Sequence, residues 1–307
     1  QVRLVSAKGA VVQAPLPGSA WGVSRYRLDA ALADAARQNG VEVRAGVTAR
    51  AVQPANGRFS VAFQSKGEPG TLQARAVVAA CGRHTRPGLP PTRSSRDGRS
   101  YVGLKCHYTN VSMPAQVELY FFPGGYAGTN PIEGGRVNVG LLVTREAFEQ
   151  AGGSVSATIT KVARDWNPGL GRRLSGGEAL PETELAVAPV DLDRPAAPWD
   201  GIACVGDTAV MIPPLCGDGM AMALRSAELC AAPAHDYLAG RLSLSGWQSA
   251  YQSAWSAEFQ SPVQTGRILQ KAANRPALFH VMIGLGRFAP SMITRLFKAT
   301  RPLVAET

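Results

Sequence analysis

Residues 201–230 read GIACVGDTAVMIPPLCGDGMAMALRSAELC, and the fold is decided in this stretch. Ile202–Val205 is a continuous apolar run closed by Gly206, the pattern of a short strand buried on both faces. A Gly-Asp corner follows. Residues 212–219 then pack two prolines and two glycines into eight positions, a loop stiff at its entry and permissive at its exit. Met220, Ala221, Met222, Ala223, Leu224, Arg225 and Ala227 are helix formers. A Gly-terminated loop feeding a helix leaves unpaired N–H groups and the positive end of the helix dipole facing outward. That suits a phosphate, a carboxylate or the negative charge of a reduced cofactor.

The string Gly206–Asp207, Pro213–Pro214, Gly217-x-Gly219 and an Ala-rich helix resembles the second FAD fingerprint of a flavoprotein superfamily. Its members are the glutathione-reductase-type monooxygenases, the geranylgeranyl reductases and the flavin-dependent halogenases. The resemblance implies that Asp207 hydrogen-bonds the ribityl chain of FAD. It also implies that Gly206, Pro214, Gly217, Asp218, Gly219 and Met220 face the pyrimidine end of the ring. Two weaker matches extend it. Ser24-Arg25-x-x-Leu28-Asp29-x-x-Leu32 resembles the family's R-x-x-L-D-x-x-L helix start, which implies that Arg25 approaches the cofactor while Arg27 is a solvated helix residue. Residues 76–86, AVVAACGRHTR, resemble the strand-to-turn motif that brings Gly82 against FAD, and Val47 falls where relatives present backbone to adenine. The aromatic hydroxylases carry Asp-Gly at that turn. Cys81–Gly82 is closer to the reductase and halogenase branches.

Composition narrows the alternatives. The 307 residues are 45% hydrophobic and 18% charged, ordinary for a globular chain long enough for one large domain or two intertwined ones. The net charge of +10 is spread through the sequence without basic runs or interleaved aromatics, which argues against nucleic-acid binding. Five cysteines, an odd number without CxxC spacing, read as reduced and mostly buried thiols of a cytoplasmic protein. Four scattered histidines give no metal-ligand spacing, so no metal is expected. No signal peptide or run of transmembrane length is present in the sequence.

The expected class is α/β (α+β). Residues 1–86 and 198–240 form a discontinuous, Rossmann-like FAD-binding domain whose first βαβ is missing. Residues 87–197 form an inserted antiparallel β-sheet domain for the substrate, and 241–307 a C-terminal helical region. Within the first part Ser24 caps a helix that Gly40 stops; VEVRAG, VTARAVQ, Arg58–Gln64 and Leu72–Ala80 read as strands. The insert reads as strands at Tyr101–Thr109, Gln116–Phe122, Tyr126–Asn130, Arg136–Thr144 and Glu184–Val190, with turns at Gly124–Gly125 and Glu133–Gly135. The halogenases carry a tryptophan pair and an Ile-Pro where this chain has Tyr126, Gly128 and Asn130–Pro131, which disfavours halogenation. Tyr120, Phe121, Phe122 and Tyr126 either line a substrate pocket or fill the sheet core. His107 and Tyr126 are the candidates for acid–base work. Trp247, Tyr251 and Trp255, at i, i+4 and i+8, read as core packing of a helix. The basic, apolar tail 276–307 either touches a membrane peripherally, covers a substrate channel, or packs on the body.

Residues 1–24 hold no GxGxxG, the pyrophosphate-binding unit of the family. FAD binding by this chain alone is therefore expected to be weak. The reading is an FAD-dependent oxidoreductase, of monooxygenase or alkene-reductase type, passing electrons from NAD(P)H through flavin to an apolar or aromatic small molecule or to oxygen. The alternatives are a truncated or degenerate homologue without catalysis, and a halogenase. Oligomeric state is not legible.

Overall fold

The structure, a computed structural model, describes residues 1–16, 18–83, 100–286 and 290–301. In chain order the strands are β1 (Val2–Val5), β2 (Val11–Ala14), β3 (Val47–Ala55), β4 (Arg58–Ser65), β5 (Glu68–Ala74), β6 (Val78–Ala79) and β7 (Tyr101–Thr109). They continue with β8 (Val117–Phe122), β9 (Gly125–Ile132), β10 (Arg136–Thr144), β11 (Glu178–Val190), β12 (Trp199–Asp200) and β13 (Ile202–Cys204). The helices are α1 (Arg25–Gln38), α2 (Arg145–Gln150), α3 (Val155–Lys161), α4 (Pro168–Leu174), α5 (Gly219–Leu238), α6 (Leu244–Ala273), α7 (Pro276–Gly286) and α8 (Pro290–Ala299). The architecture is mixed α/β. The chain divides into two compact units, one of residues 1–32, 99–191 and 265–300, the other of 33–98, 192–264 and 301–307.

The first unit is built on a seven-stranded sheet in the order β11-β7-β10-β9-β8-β1-β2, antiparallel except for the parallel pair β1–β8. Strand alternation explains its core. On β10, Val137, Val139, Leu141 and Val143 point to one face and join Val102, Leu104, Tyr120, Phe122 and Ala127 from neighbouring strands. Helices α2 to α4 cover that face with Ala147, Val155, Ile159 and Leu170. Asn167 stops a π-helical turn, Val162–Trp166, and caps α4 by accepting from the Gly169 N–H at 3.1 Å. Tail helices α7 and α8 pack beside β2: Thr294 Oγ1 donates to the Pro15 carbonyl at 2.9 Å, and His280 Nδ1 lies 3.0 Å from Ser6 Oγ. No helix among the described residues is long and apolar enough to cross a membrane.

The second unit holds the parallel pair β6–β13 with β12 added antiparallel, and the antiparallel meander β3-β4-β5. Trp247, Tyr251, Trp255 and Phe259 recur every four residues along α6 and are buried against Ile202–Val205, as the spacing predicts. The Tyr251 hydroxyl donates to the Cys204 carbonyl at 2.8 Å, which satisfies both buried groups. All five cysteines are free thiols, and four of them are buried.

Three expectations are corrected. VEVRAG alternates like a strand but forms none: Gly46 at φ 71° turns the chain just ahead of β3, and no strand among the described residues pairs with it. Leu72–Ala80 is two elements: β5 closes the meander on β4, whereas β6 pairs with β13. The first hairpin, β1–β2, belongs to the seven-stranded sheet through β8 and not to the 198–240 segment. This pairing joins residues more than a hundred positions apart, so local pattern carried no sign of it.

Candidate functional site

Strand β13 ends at Cys204, and the chain turns through Gly206–Thr208 into a loop that enters α5 at Gly219. Glycine is required at 206 for two reasons. Its φ is +58°, and a Cβ there would sit 3.1 Å from Ala223 Cβ on α5. Ser226, buried on α5, accepts from the Gly206 N–H at 2.7 Å and donates to the Ala223 carbonyl at 2.9 Å, so the helix grips the turn. Thr208 donates to the Gly82 carbonyl at 3.1 Å, and Gly82 itself sits at φ +65°. Two segments far apart in sequence, 81–82 and 206–208, are thus bound side by side. Arg194 adds a guanidinium that donates to the Asp207 carbonyl and, at 3.2 Å, to the Thr208 carbonyl.

Gly206→Ala is expected to cost about 1–2 kcal/mol for the left-handed backbone alone, and more if Ala223 cannot yield. A urea denaturation midpoint equal to that of the unaltered chain would contradict this.

The loop adds the remaining pieces. Pro214–Cys216 forms a 3₁₀ turn whose Pro214 carbonyl accepts from Gly217 at 3.0 Å, with Gly217 at φ +75°. Asp218 precedes α5 at the N-cap position, yet its side chain makes no capping bond. The first-turn N–H groups of α5 therefore lack the side-chain acceptor that a helix start usually receives. A Cβ at Gly219 would meet nothing closer than 4.0 Å, so the backbone there is open to a ligand. Gly206, Asp207, Ile212, Gly219, Met222 and Trp255 line a recess at this point. Asp218 is 9% exposed, its Oδ2 has no hydrogen-bond partner among the described residues, and Arg301 Nε lies 3.4 Å from Oδ1. Burial pushes its carboxyl up to about 6, against the pull of Arg301.

The structure brings Gly82, Gly206, Asp207, Pro214, Gly217, Asp218 and Gly219 together in one unit, with Met220 a partly exposed residue in the first turn of α5. Val47 opens β3 opposite Ser65 in the other sheet of that unit and does not line the recess. Arg25, His107 and Tyr126 lie in the first unit. Arg25 is an exposed residue of α1 whose guanidinium grips Asp29 with two bonds of 3.0 Å. Ser24 does cap α1, accepting from the Arg27 N–H at 3.2 Å. It is held in turn by Glu133, which accepts from the Ser24 N–H at 2.9 Å and from its hydroxyl. Those bonds hold the Glu133 carboxyl down at about 2. His107 is 2% exposed, lies edge-on to Tyr26, and has an Nδ1 without a partner; burial, then Lys105 and Arg136, lower its basicity. Tyr126 is buried, with its hydroxyl 3.3 Å from Gln270 Oε1. His107 and Tyr126 share a sheet face but stand two rows and two strands apart, roughly 16 Å from residue rise and strand spacing. They do not form one acid–base pair.

Sequence reasoning missed Ser226, Thr208 and Arg194, whose roles depend on partners distant in the chain. Among the described residues no group of His, Cys, Asp and Glu forms a metal site, and the polar side chains of the residues lining the recess include Asp207 and Ser226.

No protein-family model matches the chain. It is 27% identical over 262 residues to a digeranylgeranylglycerophospholipid reductase of Methanopyrus kandleri, covering 80% of this chain and 63% of that protein. It is 24% identical over 254 residues to a tryptophan 2-halogenase of Chondromyces crocatus, covering 77% and 48%. Among solved structures, a geranylgeranyl bacteriochlorophyll reductase-like protein of Thermoplasma acidophilum superposes with a TM-score of 0.71 at 20% identity, over 100% of this chain and 76% of that one. The chain thus spans less than two thirds of the length of the curated relatives it matches. The chain is similar in sequence to FAD-dependent reductases and halogenases, and in fold to proteins of that group.

Proposed function

We propose that this chain is the substrate-bearing and flavin-bearing part of an FAD-dependent oxidoreductase acting on an apolar or aromatic small molecule. The observation that carries the reading is the joint built around Gly206. The left-handed Gly206 turn at the end of β13 and the uncapped start of α5 at Gly219 border one recess. Bound FAD would supply the redox chemistry, accepting electrons from NAD(P)H and passing them to the substrate or to oxygen.

This chain's residues would act by position. Asp207 and the Gly82 turn would bind the sugar-alcohol chain, with Arg194 and Thr208 fixing the loop that presents them. Gly217 and Gly219 would let backbone approach the ring edge, and the first-turn N–H groups of α5 would favour negative charge there. Asp218, with a carboxyl titrating near 6, would be able to hold a proton close to neutral pH. Arg25, exposed and paired with Asp29, and Val47, on a separate sheet, are weaker candidates for cofactor contact.

The test is an absorbance scan of the purified chain with excess FAD, before and after desalting. Retained flavin bands near 375 and 450 nm (approximate positions for protein-bound flavin), lost in Gly219→Trp, are the expected result. Failure to retain flavin, both alone and after fusion to a GxGxxG-bearing βαβ segment from a homologue, would overturn the reading in favour of a degenerate protein. With flavin retained, bleaching by NADPH or NADH identifies the reductant.

A further inference from the structure

We propose that the seven-stranded sheet binds an amphipathic anion, its apolar body lying across Gly140 and Gly128 and its acidic group at Lys105. The inference rests on the oxidoreductase reading and names the substrate class. Register defines the floor. Gly140 is paired with Lys105 of β7 on one side and with Gly128 of β9 on the other, and Gly128 with Leu119 of β8. All four lie on the face opposite Val139, Leu104, Ala127 and Tyr120, hence away from the core under α2 to α4. A lane thus runs across four strands, cationic at Lys105 and aliphatic at Leu119. Its length is three strand spacings, about 14 Å.

Among the described residues, nothing in the packing asks for these glycines. Among those residues a Cβ on Gly140 would meet no atom closer than 3.9 Å, and one on Gly128 the end of the Leu119 side chain at 3.3 Å and the Gly140 carbonyl at 4.0 Å. Neither has a positive φ that would demand glycine. Glycine in the middle of a strand weakens the sheet, so two adjoining ones on central strands mark a close approach by something else. The lane has contrasting edges. One neighbouring row is His107, Asn138 and Asn130, with Asn138 Nδ2 donating to Asn130 Oδ1 at 3.2 Å. In that row the buried His107 keeps its Nδ1 without a partner. The other row is Leu142, Tyr126 and Phe121.

Lys105 supplies the charge preference. It is half-buried, its ammonium stands 4.6 Å over the Tyr26 ring, and no carboxylate among the described residues pairs with it. A half-buried cation over a ring, with no carboxylate beside it among the described residues, offers charge complementarity to an anionic ligand.

Calorimetric titration of the full chain tests this with two matched pairs, indole-3-acetate against indole-3-ethanol and octanoate against 1-octanol. At least one acid is expected to bind about tenfold or more tightly than its alcohol. Lys105→Met should erase that ratio while leaving the alcohol's affinity in place. Gly140→Val, which has room for its Cβ, should weaken acid and alcohol alike. The proposal is overturned if neither acid binds, if the ratio survives Lys105→Met, or if Gly140→Val binds like the unaltered chain. Calorimetry needs no flavin, and both variants should retain flavin as well as the parent does, so this result and the cofactor result fail separately.

Discussion

Glu118→Ala is expected to remove about 3–5 kcal/mol of stability, the largest single loss at any position considered. Glu118 is wholly buried on β8. Its carboxylate accepts two bonds of 2.7 Å from Arg173, one of 2.7 Å from Gln116 and one from the Tyr120 hydroxyl, with Arg3 3.7 Å away. Burial pushes the carboxyl up, but the bonds from Arg173, Tyr120 and Gln116 outweigh it and hold it below the usual range. Truncation leaves the Tyr120 hydroxyl buried without an acceptor and Arg173 without its counter-ion. The Arg173 side chain is 22% exposed, so water reaches part of the orphaned charge and the loss falls toward the lower bound. Since the folded carboxyl titrates below its unfolded value, its contribution is complete above about pH 4.5 and is lost as pH falls through the folded value. The gap between parent and Glu118→Ala in urea should therefore narrow on acidification. Replacing the whole cluster, as Glu118→Leu with Tyr120→Phe and Arg173→Met, should recover most of the loss. A single variant as stable as the parent at pH 7 would show that the cluster contributes nothing.

That cluster also marks where the sequence stops being readable. The 201–230 stretch is legible because strand, turn, loop and helix follow one another and each is set by its own residues. Gly206 permits the left-handed turn and the helix formers after Gly219 favour a helix there, both from local sequence. Glu118 offers a weaker signal, a carboxylate inside the apolar run VELYFF, which can only mean an edge position or a buried partner. Naming Arg173 as that partner needs the fold, since 55 residues separate the two. The same holds for Gly128 and Gly140. Each looks like an ordinary interruption in its strand, and only the register sets them side by side next to Lys105. The α1 helix start was legible down to its Ser24 cap, whereas the Glu133 carboxylate that secures that cap comes from a turn 109 residues on.

Asp218→Asn should act in the opposite direction, raising stability at pH 8 by about 2 kcal/mol. The folded carboxyl titrates near 6, above its reference of 3.8, because burial disfavours the ion and Arg301 compensates only in part. For a group shifted this way the sign is the reverse of the Glu118 case. The aspartate is no burden below the unfolded value, where it is protonated in both states. Its penalty grows as pH rises from about 4 to 6 and stays constant above that. The full shift is worth about 3 kcal/mol at 1.4 kcal/mol per unit, and the amide leaves the same unpartnered position that Oδ2 occupies, so part of the strain persists. Urea midpoints of parent and Asp218→Asn should diverge between pH 4 and 6 and run parallel above. Coincident curves at pH 8 would mean that the buried charge is solvated. The placement explains why a costly carboxylate is kept between two loop glycines at a helix start. Asp218 immediately precedes Gly219, which lines the recess, so its ionised carboxyl would oppose a ligand's negative charge at the start of α5. Binding of an anionic ligand there should therefore take up a proton near pH 7, and Asp218→Asn should abolish that uptake while stabilising the chain.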